Sequence, residues 1–232
     1  EDIRKQDLER MEEISYREGL KPVLYLTGDD AMVERLNQRY EEHHVEVVSA
    51  APGESLGHGV ATSHNHIFIS QEAEKAITMG DVYRGGDPTA QAYPLGELMG
   101  YPACCSAAFA AMADRSNDSE IVYNVADREC SAPHPLLNLG SANIVPFYPC
   151  SFDCKEAVKW AEKTLEGLFP ESEDQDKRAW VKEQMARPTL YFDKLRALVF
   201  DGSIVGSEVR FDRFDIISKT PQPDIEVQLM AS

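Results

Sequence analysis

The chain has 232 residues, 43% of them hydrophobic, and carries 40 acidic against 23 basic side chains for a formal net charge of −17. That apolar content suffices for a sizeable core, whereas the acidity and the lack of any long Lys/Arg run argue against nucleic acid, whose binding rests on neutralising phosphates. No stretch approaches the ~20 continuous apolar residues of a membrane span, and residues 1–13 are too charged for a signal peptide, so no membrane partner is expected.

In chain order, residues 2–18 predict a polar helix with a thin apolar stripe of Ile3, Leu8, Met11 and Ile14. Val23 to Leu26 reads as a strand that stops at Thr27-Gly28-Asp29-Asp30, residues 31–42 as a helix, and Val45 to Val48 as a second strand, an alternation that marks an α/β layer. After the glycine-rich connection 52–59 come a strand at Ile67 to Ile69, a helix over 71–79 and a long loop over 80–94. A helix rich in alanine follows over 103–113, then an irregular stretch over 116–149 with a strand at 121–125. Next is a helix over 154–168 with apolar Val158, Ala161, Leu165 and Leu168. An acidic linker over 171–176 leads to a helix over 177–186. Strands are expected at 189–192, 197–200, 204–205 and 209–217, with a turn at Asp201-Gly202. The expected fold class is α/β or α+β: a mixed sheet with flanking helices plus a C-terminal antiparallel hairpin or small sheet. It reads as one domain over 1–232 with sub-lobes over 1–94 (α/β), 95–187 (helical, bearing the cysteines) and 188–232 (antiparallel strands).

Four of the five cysteines stand in two tight clusters, each entered through a proline: Gly100-Tyr101-Pro102-Ala103-Cys104-Cys105 and Tyr148-Pro149-Cys150-Ser151-Phe152-Asp153-Cys154. An odd cysteine count in a chain too large to need disulfide staples points to a reducing compartment, hence the cytoplasm, and to metal or redox use of the thiols. Pro102 suits an early helix position, and Asp153 with Glu156 has capping-box spacing, which makes Cys154 the first residue of its helix. Both pairs then lie at helix N-termini, where partial positive charge favours thiolate over thiol. Four thiolates held together call for a cation, and four cysteines suit tetrahedral zinc or an iron–sulfur cluster.

Cys150-x3-Cys154 lies within the range of a zinc knuckle; the vicinal Cys104-Cys105 does not. Neighbouring side chains diverge by roughly 100° on a helix and reach different irons more easily than one zinc. A [4Fe-4S] cluster held by Cys104, Cys105, Cys150 and Cys154 is therefore the favoured cofactor, serving redox or Lewis-acid chemistry on a small-molecule substrate with an electron donor as a further partner. Three readings stay open beside it: only one of Cys104 and Cys105 ligates and leaves an open iron; zinc staples a non-catalytic binding domain; or the cysteines work as a thiol/disulfide pair. Cys130 is the spare, expected to be structural.

These motifs, Gly-Tyr-Pro-Ala-Cys-Cys with Phe109 and Pro-Cys-Ser-Phe-Asp-Cys, resemble the cysteine signature of a prokaryotic conserved family of unknown function. The resemblance covers residues 100–109 and 149–154 within about 60 residues, and implies a shared cysteine site without an activity or substrate.

Other groups are candidates for catalysis. His64 and His66 stand two apart before a strand, so they share a face, with His58 near enough to join them. Arg84, followed by Gly85-Gly86-Asp87, suits a clamp on a carboxylate or phosphate. His134, between Pro133 and Pro135, reads as a loop residue or a donor to a cluster sulfur. Gly-x-Gly-x-x-Gly, Walker and Gly-x-Ser-x-Gly motifs are absent, which removes the main support for nucleotide binding and serine hydrolysis. No third cysteine follows Cys154 as the radical S-adenosylmethionine enzymes require.

Overall fold

A computed structural model describes residues 5–49, 65–85, 91–113, 125, 130, 133–138, 144–172, 175–193, 196–205 and 208–218. Its helices and two antiparallel three-stranded sheets make it a mixed α and β protein, as expected. The chain divides into two units, one of residues 1–115 with 162–168 and the other of residues 116–161 with 169–232.

The first unit is built on β1 (Leu24–Gly28), β2 (His44–Ser49) and β3 (Asn65–Ser70), in the order β1-β3-β2. The strand that comes last in sequence lies in the middle, antiparallel to both neighbours, with Tyr25 opposite Phe68 and Val47 opposite Ile67. Every residue of β3 is buried, because helices cover both faces of the sheet. On one face Phe68 packs with Val23, Val48, Ala76, Met79 and Met99, drawn partly from α3 (Ala73–Arg84) and the end of α4 (Ala92–Leu98). On the other, Ile67 and Ile69 pack with Leu24, Leu26, Tyr40 and Leu36 of α2 (Asp30–Arg39). The period-two alternation of Asn-His-Ile-Phe-Ile-Ser thus sends successive side chains into two separate cores, and each fully buried apolar chain contributes roughly 1.5–3 kcal/mol.

Local chemistry sets the element ends. Asp29 caps α2, its Oδ1 accepting from the Met32 N–H at 2.8 Å, so Gly28-Asp29-Asp30 serves a helix start. The helix α1 (Lys5–Arg17) precedes Lys21, whose fully buried ammonium pairs with Glu12 and lies 5.5 Å from the centre of the Tyr101 ring.

In the second unit a short 3-10 turn (Pro135–Leu137) is joined to α7 (Gln175–Ala186) and to the strand that follows it by Asn138. The Asn138 amide donates to the Met185 and Arg187 carbonyls and to Thr189 Oγ1, at 2.9, 3.1 and 3.1 Å. The sheet here is β4 (Thr189–Asp193), β5 (Arg196–Val205) and β6 (Glu208–Ser218), antiparallel in chain order. The expected turn at Asp201-Gly202 is instead a bulge: β5 runs straight through it while the register shifts against β6. Gly202 is required there because any Cβ would meet the Arg210 carbonyl and Phe211.

Two further expectations change. The loop predicted over 80–94 shrinks, since α3 continues to Arg84 and α4 starts at Ala92, with Pro94 tolerated in its first turn. Of the predicted strand 121–125 only Val125 is described, and it is helical and buried.

Gly100 offers a direct test. Its φ is +71°, and a Cβ would fall on the Leu20 carbonyl oxygen. Gly100→Ala is expected to lower the free energy of unfolding by at least roughly 1–3 kcal/mol, read from urea denaturation.

Candidate metal centre

The first cysteine turn follows from how α4 stops. The Tyr101 N–H donates to the Gly96 carbonyl and the Gly100 N–H to that of Glu97, both at 2.9 Å, a Schellman closure around left-handed Gly100. Pro102 then turns the chain into α5 (Ala103–Ala113), its carbonyl accepting from the N–H groups of Cys105 and Ser106 at 2.8 and 3.0 Å. Pro102 is accordingly the residue before the helix rather than its first residue, and Cys104 and Cys105 fill the first turn as expected. Gly96 lets Ser106 press against α4, since a Cβ on Gly96 would overlap the Ser106 side chain. This contact fixes the rotation of α5, leaving Cys104 exposed and Cys105 buried.

The second turn is anchored on both sides. Ahead of it, Ile144, Val145 and Phe147 are buried, and Phe147 meets Trp160 edge to face at 5.3 Å. Behind it runs α6 (Lys155–Leu168), one residue shorter at its start than the sequence suggested. Its buried positions Ala157, Trp160, Ala161, Thr164, Leu165 and Leu168 follow the helical period. Between these anchors the Cys154 N–H reaches the Ser151 carbonyl at 3.2 Å, and Ser151 Oγ donates to Asp153 Oδ1 at 2.7 Å. The His134 N–H donates to the Phe152 carbonyl at 2.6 Å while its Nδ1 accepts from the Leu136 N–H at 3.3 Å. His134 thereby holds the turn from the backbone.

The Sγ atoms of Cys104, Cys105, Cys150 and Cys154 all lie within 4.8 Å of one another, and those of the vicinal pair are 3.9 Å apart. None of the five cysteines is in a disulfide. Such a group of four soft donors can hold a metal ion. Cys130 is described but does not join it.

Of the other candidates, His66 and Arg84 are described, and neither is among the grouped metal ligands. His66, on β3, is buried and has its Nδ1 3.0 Å from the Tyr25 hydroxyl, with the Tyr83 ring 4.8 Å away. Burial, reinforced by the Glu12 carboxylate and then by Tyr83 and Tyr25, pushes the Tyr101 phenol well above its ordinary pKa, so it stays protonated. This aromatic surround of His66 was missed in the sequence, although strand alternation placing Tyr25 and His66 on one face is a readable signal. Arg84 closes α3 and pairs with Glu46 and with Asp81, the latter at 2.9 Å. His58, His64, Gly86 and Asp87 lie outside the described residues, and among those described no helix is long and apolar enough to cross a membrane.

Fold and site together define a mixed α and β protein with a four-cysteine group able to bind metal. Residues 68–173 match a family model described as a protein of unknown function (DUF483), so the expected resemblance to a family without an assigned function holds over this stretch, which runs through both cysteine turns. No curated protein and no solved structure matches the chain.

Substituting any of Cys105, Cys150 or Cys154 by Ser is expected to lower metal content sharply in the purified protein, whereas Cys130→Ser leaves it unchanged; elemental analysis checks both. The Arg84 pair predicts a pH effect. Hydrogen bonding from Arg84 holds the Glu46 carboxyl below its ordinary pKa of 4.5, which stabilises the fold above that value and is lost as pH falls through the lower, folded-state value. Arg84→Met is therefore expected to be slightly less stable than wild type at neutral pH, with the gap closing in acid, as thermal melts across pH would show.

Proposed function

We propose that Cys104, Cys105, Cys150 and Cys154 hold one metal ion in a tetrahedral thiolate site. The protein is then a metal-stapled binding domain, with zinc the ion best suited. The spacing of the sulfurs carries this reading. Four sulfurs about 2.3 Å from one ion stand about 3.8 Å apart, and here the vicinal pair is at 3.9 Å with all four inside 4.8 Å. A four-iron cluster gives each cysteine its own iron, so its sulfurs stand outside a cage wider than a single metal–sulfur bond. The 3.9 Å approach of the Cys104 and Cys105 sulfurs supports a shared ion, although neighbouring side chains on a helix reach different irons more easily. Such thiolates belong in a reducing compartment such as the cytoplasm.

The second reading is the [4Fe-4S] enzyme, acting on a small molecule by redox or Lewis-acid chemistry with an electron donor. What favours it is the exposure of Cys104 beside buried Cys105 and Cys154, since a centre that exchanges electrons or receives substrate needs one open side. His66 and Arg84 take no step in the stapling reading; under the enzyme reading they are candidates for acid–base work and anion binding.

Anaerobic purification with metal analysis and visible spectroscopy separates the two. A colourless protein with one zinc per chain is the expected result. A brown protein containing iron and sulfide overturns the single-ion site in favour of the cluster. A metal-free chain whose thiols oxidise and reduce reversibly overturns both.

A further inference from the structure

We infer that β6 is the interface of a two-fold dimer in which its outer edge pairs, antiparallel, with the β6 of a second copy. Among the described residues β6 is an edge strand, hydrogen-bonded to β5 alone. It is eleven residues long and contains neither Gly nor Pro. Residues 208–215 are all exposed, including Val209 (38%), Phe211 (48%) and Phe214 (40%). A long exposed edge of this composition is a template for another strand.

The order of its charges selects a second copy as the occupant. Arg210-Phe211-Asp212-Arg213-Phe214-Asp215 is complementary to itself when read backwards. Set antiparallel about the midpoint between residues 212 and 213, Arg210 of one copy faces Asp215 of the other, Asp212 faces Arg213, Phe211 faces Phe214 and Val209 faces Ile216. Opposite charges and aromatic pairs directly across two strands are the favourable cross-strand combinations. Charge is also nearly balanced along this strand in a chain of net charge −17, so copies approach here with little of the repulsion they meet elsewhere.

The bulge makes this register possible. A two-fold axis perpendicular to the sheet carries each face onto itself, so residues that oppose one another must share a face within one chain. Residues three apart in a regular strand point to opposite faces. Here the register passes from Gly202 opposite Phe211 to Asp201 opposite Arg213, leaving Asp212 as the extra residue. Phe211 and Phe214 consequently fall on one face, their rings 6.0 Å apart and 4.9 and 6.2 Å from that of Phe200. Arg213 already makes an exposed pair with Asp201, and the exposed Asp215 carboxylate pairs with the more covered Arg187, each at 2.8 Å; exposed pairs are weak, and both side chains on β6 leave room for a second partner.

Sedimentation equilibrium of the full chain over a range of concentrations tests this, independently of what the cysteines bind. The expected mass is about twice the 25.9 kDa of one chain. Asp212→Arg sets like charges against Arg213 of the other copy and should weaken the dimer at least about tenfold in Kd, and adding Arg213→Asp should restore it, with circular dichroism confirming the fold of both variants. A monomer at every concentration overturns the inference and leaves the edge to an extended segment of another protein. A dimer indifferent to Asp212→Arg, or a double variant that stays monomeric, overturns it as well.

Discussion

The close approach of four cysteine sulfurs, all within 4.8 Å of one another, is the constraint on which the arrangement of the cysteine turns depends. Two unit charges about 4 Å apart repel by about 4 kcal/mol at an effective dielectric constant near 20. Four thiolates within 4.8 Å of one another would thus cost more than the ~5–15 kcal/mol by which a folded domain is typically stable. Either the thiols keep their protons or a cation sits among them, and soft sulfur donors at this separation suit a metal. The turn around Gly100 and the turn over residues 150–154 can be read as means of holding that arrangement.

Neither turn is rigid by its own sequence. The first depends on the left-handed conformation of Gly100 and on the close approach of Gly96 to Ser106, which together fix where α5 starts and how it is rotated. The second depends on the Phe147–Trp160 contact and on the backbone bond from His134 to Phe152. Asn138, four residues beyond His134, ties the same short turn to the end of α7 and the first residue of β4. His134 and Asn138, at the two ends of one 3-10 turn, therefore link the surroundings of Cys150 and Cys154 to the sheet of the second unit.

Much of the fold could be read directly. Strands at residues 23–26, 45–48 and 67–69 were legible from β-branched and aromatic runs, with ends within two residues of the observed ones, and α5 was legible from its alanines with the same bounds. The order β1-β3-β2 was not legible, because pairing depends on contacts far apart in sequence. The loop over 80–94 was overestimated because Gly80, Gly85 and Pro94 were read as breakers. Gly80 is in fact buried within α3, where a Cβ would press on Glu46, and Pro94 lies where a helix has no need of its N–H. At Asp201-Gly202 the turn signal was real but marked a bulge, since β5 and β6 were long enough to carry the ladder past it.

The sequence alone singled out the four cysteines that stand close together in the structure, because they fall in two tight clusters beside prolines and their local spacing survives any packing. It also determined the self-complementary charges of β6, a property of residue order. Only the tertiary structure decided that the four sulfurs lie within 4.8 Å of one another, that neighbouring Cys104 and Cys105 bring theirs to 3.9 Å, and that a bulge turns Phe211 and Phe214 to one face. These depend on side-chain direction and on the closure of long loops, which are fixed when the chain packs.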